Sequence, residues 1–274
     1  MRLKYFAFCA AIAVATGAAG SASAVEFVTN GSFDENGGNG QIGFNTYVTG
    51  WNVAAPPSSY VFVFGPNTAD TSGAWGQYCA PQSPSGTGCG PLMLWGSNNG
   101  GPDVITNSPN GGAFLALDGD FQTSPLTQTI DHLVPGQSYT LSFAYAFGQQ
   151  YGYSQSVTED VTVGLGSFSN TLPGAFSDCD GSGDNCSGGY LNPEHGFSGW
   201  SSYTTTIVAS ASSETLSFLA GGSKQVPPFA LISDVSLTGP AAPEASTWMM
   251  MLAGFAGLGY AGFRSGRRRA AEAA

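Results

Sequence analysis

The chain has 274 residues, of which 12% are aromatic and only 9% are charged, and its formal net charge is −11. Residues 25–239 carry 16 acidic side chains and one basic side chain, Lys224. Because binding to phosphate backbones needs clustered Lys and Arg, this balance excludes a nucleic-acid-binding function. The length between the two termini suits one β-sandwich or two small domains.

The N-terminus has the pattern of a secretory signal peptide. Arg2 and Lys4 precede an apolar run over residues 5–19, and Ala22 and Ala24 form a small-x-small ending. This pattern predicts a signal helix over residues 1–24 that is cleaved after Ala24. An uncleaved membrane helix is the alternative.

Short alternating runs dominate residues 25–239. Residues 138–147 place Leu141, Phe143, Tyr145 and Phe147 on one face, and residues 160–165 repeat this period of two. Nine or ten such runs are separated by turns rich in Gly and Pro, and no amphipathic helix interrupts them. The pattern predicts an all-β sandwich. Residues 65–112 lack the alternation and are predicted to form a long loop insertion.

Four cysteines remain after removal of the signal peptide, in two close pairs. An oxidising export route favours the disulfides Cys79–Cys89 and Cys179–Cys186. Zinc is the rival interpretation, but neither pair has the Cys-x-x-Cys spacing that zinc sites favour.

The C-terminus combines a short Pro/Glu motif, an apolar run and a basic end. Residues 245–263 carry no charge, and at about 1.5 Å per residue a helix of this length spans about 28 Å, close to the hydrocarbon thickness of a bilayer. The pattern predicts a transmembrane helix whose arginines stay cytoplasmic. A buried C-terminal helix is the alternative.

This three-part ending, over residues 240–269, resembles the PEP-CTERM sorting tail of Gram-negative bacteria, with residues 270–274 as a short remainder. The resemblance implies export by the secretion machinery, recognition by an exosortase in the inner membrane and delivery to the cell surface or extracellular matrix. Ala245 stands where the second Pro of Pro-Glu-Pro is usual, which departs from the pattern. The sorting-motif residues are Pro243, Glu244, Ala245, Trp248, Arg267, Arg268 and Arg269.

Several segments of residues 25–239 resemble the jelly-roll sandwiches of galactose-binding-like and carbohydrate-binding modules. They include Asn30-Gly-Ser-Phe-Asp34, the run from Phe114 to Gly119 and the closing run from Ala230 to Leu237. The resemblance implies a jelly-roll fold. It also implies a structural Ca²⁺ between the first and last strands, with Asp34 and Asp234 at the matching positions.

A second candidate Ca²⁺ site lies near the second cysteine pair. Its oxygen-bearing side chains alternate as in the first half of a calcium-binding loop, but Gly189 stands where the bidentate acid is expected. A solvated acidic loop is therefore the alternative. The candidate ligands are Asp178, Asp180, Ser182 and Asp184.

No catalytic motif is present. The two histidines, His132 and His195, lie in neither a Gly-x-Ser-x-Gly nor a His-Glu-x-x-His context. The carboxylates Asp118 and Asp120 are of the type that glycosidases use, but their pairing cannot be inferred from sequence. The chain is therefore predicted not to be an enzyme.

Aromatic residues in polar loops are candidates for stacking on sugar rings. They are Trp75, Trp95, Tyr151 and Tyr153, with packing beneath the loops as the alternative, whereas Trp51 and Trp200 are predicted to lie in the core. The leading hypothesis is a structural or adhesive cell-surface protein. The second is a carbohydrate-binding module for exopolysaccharide, and the third is an enzyme that acts on polysaccharide.

Overall fold

A computed structural model describes residues 24–55, 58–77, 80–81, 89–105, 107–173, 189–223, 226–240 and 245–272. These residues form strands and one helix. The elements are β1 (Val25–Glu26), β2 (Gly40–Gln41), β3 (Val61–Phe64), β4 (Ala80–Pro81), β5 (Cys89–Gly90), β6 (Phe114–Asp118), β7 (Leu126–Asp131), β8 (Ser138–Gln149), β9 (Val157–Leu165), β10 (Phe168–Leu172), β11 (Tyr190–Asn192), β12 (Ser201–Val208), β13 (Ser213–Gly222), β14 (Pro228–Gly239) and α1 (Ala245–Glu272).

Two antiparallel sheets contain most of the strands. The large sheet has the order β12-β8-β14-β6-β3-β2, with β1 also paired to β14. The small sheet has the order β10-β9-β13-β7, with β11 also paired to β9. From β6 to β9 and again from β12 to β14, each successive strand lies in the opposite sheet. This connectivity is that of a jelly roll, and it confirms the predicted all-β sandwich.

The apolar side chains that alternate along each strand lie on one face and form the core between the two sheets. Leu141 and Phe143 of β8 in the large sheet and Val161 and Val163 of β9 in the small sheet are all buried in one core cluster. Trp51 is 5% exposed and belongs to the same core, as predicted. Burial of each large apolar side chain contributes about 1.5–3 kcal/mol relative to exposure.

The other face of the large sheet is also buried. On β3, Val61 and Val63 point into the sandwich, while Phe62 and Phe64 point outward. The outward side chains form a second core, covered by segments of the predicted insertion 65–112. Its buried members are Phe62, Phe64, Ala69, Ala74, Leu92, Leu94, Phe114, Ala116, Ala146, Phe197, Phe229 and Leu231.

The predicted loop insertion is therefore a third layer that packs on the sandwich. Its main-chain hydrogen bonds explain how it achieves this without long strands. Ala74 and Leu92 exchange two bonds of 2.8 Å, and the Leu94 N–H donates to the Ala69 carbonyl at 2.8 Å. These isolated contacts leave no regular period in the sequence, so the segment was predicted only as a loop.

Helix α1 covers the predicted transmembrane segment 245–263 and continues to Glu272. Within the described residues, no helix is both long enough and apolar enough to span a bilayer. Four glycines and Tyr260 dilute the apolar run, and Arg264 follows it directly. The predicted transmembrane helix is therefore not confirmed.

Several sequence-based predictions fall outside the described residues. They concern the signal segment before Ala24, the motif residues Pro243 and Glu244, the disulfide partners Cys79, Cys179 and Cys186, and the acidic loop with Asp178, Asp180, Ser182 and Asp184. Cys89 begins β5, but its predicted partner is among these residues. Both disulfides stay predictions.

Candidate functional site

A shallow groove of about 550 Å³ opens between the third layer and the start of β12. Residues from the third layer form one wall, and residues at the start of β12 form the other. The lining residues are Asn107, Ser108, Pro109, Gly111, Trp200 and Ser202.

Trp200 lies in this groove with part of its side chain exposed. It follows Gly199, which has a φ of +74°, a left-handed conformation that glycine adopts without strain. The indole packs edge-on against Phe114 of the second core, with ring centroids 5.6 Å apart. The neighbouring strand β8 carries the small buried residues Ala144 and Ala146, which leave room for a large ring. The core prediction for Trp200 is thus corrected, because its ring also lines an open groove.

Ser108 contributes a buried hydroxyl to the same groove. It is 4% exposed, and its Oγ has no hydrogen-bond partner among the described residues. An unsatisfied buried hydroxyl costs about 1–3 kcal/mol. Because almost none of this oxygen is accessible, Ser108 shapes the wall of the groove and does not offer its hydroxyl to a ligand.

Asn107 supplies an oriented amide beside Ser108. Its Oδ1 accepts a hydrogen bond of 2.6 Å from the Asn67 main-chain N–H, and its Nδ2 donates to the Asn67 side chain at 3.3 Å. One of its two amide hydrogens remains for another acceptor. The lining therefore combines part of an aromatic ring with an amide and hydroxyls, and none of its described residues has an ionisable side chain. Such a surface fits an uncharged ligand that has both apolar faces and hydroxyl groups.

The predicted sugar-stacking residue Trp95 is packed away from solvent. It is 5% exposed, its indole N–H donates to the Tyr153 carbonyl at 2.8 Å, and its ring stacks on His195 at 3.8 Å. Tyr151 meets the indole edge at 4.5 Å. The structure brings these three predicted aromatics together. However, Trp95 packs beneath the loop, so its ring is not open to a sugar, and both tyrosines are half-buried.

Trp75 has the predicted exposure, with 55% of its side chain accessible. Its carbonyl accepts a 2.9 Å hydrogen bond from the N–H of Gln41 in β2. Because β2 and β12 are at opposite ends of the large sheet, Trp75 and the Trp200 groove lie at opposite edges. A ligand-binding role for Trp75 stays a prediction.

The side chains around His195 do not form a catalytic triad. His195 Nε2 is 3.0 Å from the Ser154 hydroxyl and 3.6 Å from a carboxylate oxygen of Glu194, which also contacts Ser154. In a triad the acid binds the ring nitrogen opposite the one that faces the serine. Here both contacts involve the same nitrogen, so the acid cannot orient the ring as a base for Ser154.

The Asp118 side chain has a structural role, because it accepts hydrogen bonds from the main chain. Its Oδ1 accepts main-chain hydrogen bonds from Asp120 at 2.8 Å and Phe121 at 3.1 Å. Burial raises the pKa of the Asp118 carboxyl to about 6, against the opposing effect of these hydrogen bonds. The carboxyl therefore holds the turn after β6.

The predicted Ca²⁺ ligands Asp34 and Asp234 have different surroundings. Asp34 Oδ1 accepts a 2.9 Å hydrogen bond from the Ala113 N–H. Asp234 lies where the pairing of β14 with β8 shifts register, and its Oδ2 is buried without a partner among the described residues. That oxygen fits a cation ligand. No group of three His, Cys, Asp or Glu side chains comes together in the described part of the chain. Calcium binding therefore stays a prediction.

Comparison with known proteins found similarity only to solved structures, and the three described below have TM-scores of 0.30 to 0.38. No protein-family model matches the sequence, and no curated protein matches it significantly. Among solved structures, TmCBM61 in complex with β-1,4-galactotriose is 12% identical, with a TM-score of 0.37 over 78% of this chain and 97% of that one. The K3 cleaved adhesin domain of Lys-gingipain from Porphyromonas gingivalis is 10% identical, with a TM-score of 0.38 over 78% of this chain and 98% of that one. A CBM4 structure is 14% identical, with a TM-score of 0.30 over 77% and 97%. Scores this low carry no argument, so the fold assignment rests on the sheets described above.

Proposed function

We propose that this protein binds uncharged polysaccharide without catalysis, at the groove between the third layer and β12. The observation that carries the proposal is the half-buried Trp200 side chain, which lines the groove together with the oriented amide of Asn107. The ring offers an apolar surface to a sugar face, and Asn107 and Ser202 offer hydrogen bonds to its hydroxyls. These groups support carbohydrate binding over a purely structural or adhesive role.

The absence of ionisable side chains from the groove lining supports binding over hydrolysis. Glycoside hydrolysis needs a pair of carboxyl groups about 5–10 Å apart across the scissile bond. Among the residues that the structure describes, neither a carboxyl nor a histidine lines this groove. A polysaccharide-acting enzyme with its site here is therefore disfavoured.

A glycan array probed with the full chain tests the proposal. The wild type is expected to bind neutral glycans on the array. Trp200→Ala is expected to bind them with an affinity that is at least about tenfold lower. Phe44→Ala is the control, because it removes an exposed aromatic ring that follows β2, at the opposite edge of the large sheet. Equal binding by wild type and Trp200→Ala would contradict this site.

We further propose that the protein acts outside the cell, at the surface or in an exopolysaccharide matrix. The signal-like N-terminus and the tail that resembles a PEP-CTERM motif support this address, and both imply the secretion machinery and an exosortase as partners. Mass spectrometry of the exported protein from an exosortase-bearing host should show a chain that begins at Val25 and ends near Pro243-Glu244. An intact tail in the exported protein would contradict exosortase processing.

A further inference from the structure

Strand β12 is an outermost strand whose free side is not covered in the described structure. It pairs with β8 over eight consecutive positions, from Ser201 opposite Tyr145 to Val208 opposite Ser138, without a register shift. In an antiparallel ladder, half of the N–H and C=O groups of such a strand point away from the sheet. No described strand or main-chain hydrogen bond meets these groups on β12.

The sequence of β12 lacks the features that normally protect an exposed edge. Edges are usually protected by charged residues, Pro, bulges or short length. Over Ser201–Val208 there is no charge, no Pro and no Gly, and the last five residues are all β-branched. The side chains of Thr204, Thr206 and Val208 are exposed. The strand is therefore chemically suited to further pairing.

Other outermost strands in the described structure are shorter or covered. Strand β2 has two residues, and the Gln41 N–H is already bonded to the Trp75 carbonyl. Strand β7 has six residues, and Asn52 exchanges two 2.8 Å main-chain hydrogen bonds with Thr127 on its outer side. Of the described outermost strands, β12 is the longest, with eight residues.

We propose that β12 pairs with β12 of a second copy of this chain, antiparallel over Thr204–Val208, to form a two-fold dimer. In this register Thr206 faces its own copy on the axis, and Thr204 faces Val208. Thr–Thr and β-branched cross-strand pairs stabilise antiparallel strands. The interface is isologous, as in most homodimers.

Charge favours the β12 edge over the rest of the surface as the place where two copies meet. Residues 25–239 carry 16 acidic side chains and one basic one, so two copies repel each other over most of their surfaces. Because β12 carries no charge, two copies can approach each other along this edge without bringing carboxylates together. Pairing over Thr204–Val208 leaves Trp200 and Ser202 outside the paired stretch, so each dimer presents two grooves.

Analytical ultracentrifugation and hydrogen exchange of the full chain test the dimer. The wild type is expected to be dimeric at about 100 μM and to dissociate on dilution, because dimerisation depends on protomer concentration. The amides of residues 204–208 should lose exchange protection over the same dilution. A wild type that stays monomeric, or protection in β12 that does not change with concentration, would overturn the proposal.

The variant Thr206→Glu identifies the surface. It places two carboxylates opposite each other on the axis, and Lys224 is the only base within residues 25–239 that could offset them. The matched control is Thr140→Glu, an exposed site directly opposite Thr206 on β8. Thr206→Glu should be monomeric and Thr140→Glu dimeric, both with unchanged circular dichroism. A dimeric Thr206→Glu would assign association to another surface, such as the exposed side chains of α1, and would reject this inference.

Discussion

Asn192 donates a 2.8 Å hydrogen bond to a carboxyl oxygen of Glu159, and neither side chain has any exposed surface. The Phe229 N–H donates to the other oxygen at 3.1 Å. Asn192 is also tied to Gln149, whose Nε2 donates to the Asn192 carbonyl at 3.2 Å. This network joins β9, β11 and β8, and burial raises the pKa of Glu159 well above its usual range.

The raised pKa of Glu159 predicts a stability that falls as the pH rises. The unfolded chain releases this proton near pH 4, whereas the folded protein keeps it to a higher pH. Each further rise in pH therefore lowers the free energy of the unfolded state relative to that of the folded state. The slope is at most about 1.4 kcal/mol per pH unit for one proton. Urea titrations from pH 4 to 8 should show that Glu159→Gln reduces this slope. Glu35→Gln, at an exposed glutamate, should leave it unchanged.

Asp118 adds a second pH dependence, which overlaps that of Glu159 and ends at about pH 6. With its folded pKa at about 6, stability is lost between about pH 4 and pH 6 and is constant above. Asp118→Asn keeps an oxygen that accepts from the Asp120 and Phe121 N–H groups but cannot ionise. Between pH 4 and pH 7, the free energy of unfolding of the variant should therefore fall by about 2–3 kcal/mol less than that of the wild type. Parallel pH profiles for the two proteins would contradict the assignment.

The third layer should be integral to the fold. Leu94 is fully buried in the second core, so Leu94→Ala is expected to cost about 2–5 kcal/mol of unfolding free energy in urea titrations. Val104→Ala, at a site in the same layer that is 66% exposed, is the control and should cost less than about 0.5 kcal/mol. Similar small effects of both changes would mean that the layer does not contribute to the cooperative fold.

Trp95 should contribute to stability and not to ligand contact. Removal of its buried ring in Trp95→Ala is expected to cost about 3–5 kcal/mol, measured in urea. Trp95→Phe retains an aromatic ring against His195 but loses the bond to the Tyr153 carbonyl, and it should cost less. Below its unfolding transition, Trp95→Phe should bind neutral glycans as the wild type does. A selective loss of glycan binding in this variant would restore Trp95 as a ligand residue.

Calcium should act through Asp234 if the unpartnered carboxyl oxygen is a cation ligand. Ca²⁺ at 100 times its dissociation constant is expected to stabilise the wild type by about 2.7 kcal/mol, and EDTA should reverse the effect. Asp234→Ala should abolish the shift in melting temperature. Asp131→Ala, at the exposed end of β7, is the control and should preserve it. A wild-type melting temperature that is insensitive to Ca²⁺ would reject the site.

The strands could be predicted from sequence where one face is buried, because alternation then appears directly, as in β8 and β9. The third layer could not, because Leu92 and Leu94 are buried by contacts distant in sequence and within no long strand. For the same reason the sequence left both packing and sugar stacking open for Trp95, and it predicted core packing for Trp200 without the groove. Trp95 lies in a polar loop yet is sealed by His195, and Trp200 follows a glycine near a strand yet lines the groove. The unpartnered Ser108 oxygen had no sequence signal at all.

One wall of the groove is itself part of the third layer, and this couples ligand affinity to local unfolding. A ligand held between Asn107 and Trp200 ties the layer to the start of β12. Each opening of the layer must then release the ligand, so bound ligand suppresses such openings by mass action. Changes in the second core that never touch the ligand, at Leu92 or Ile105, should therefore change its residence time.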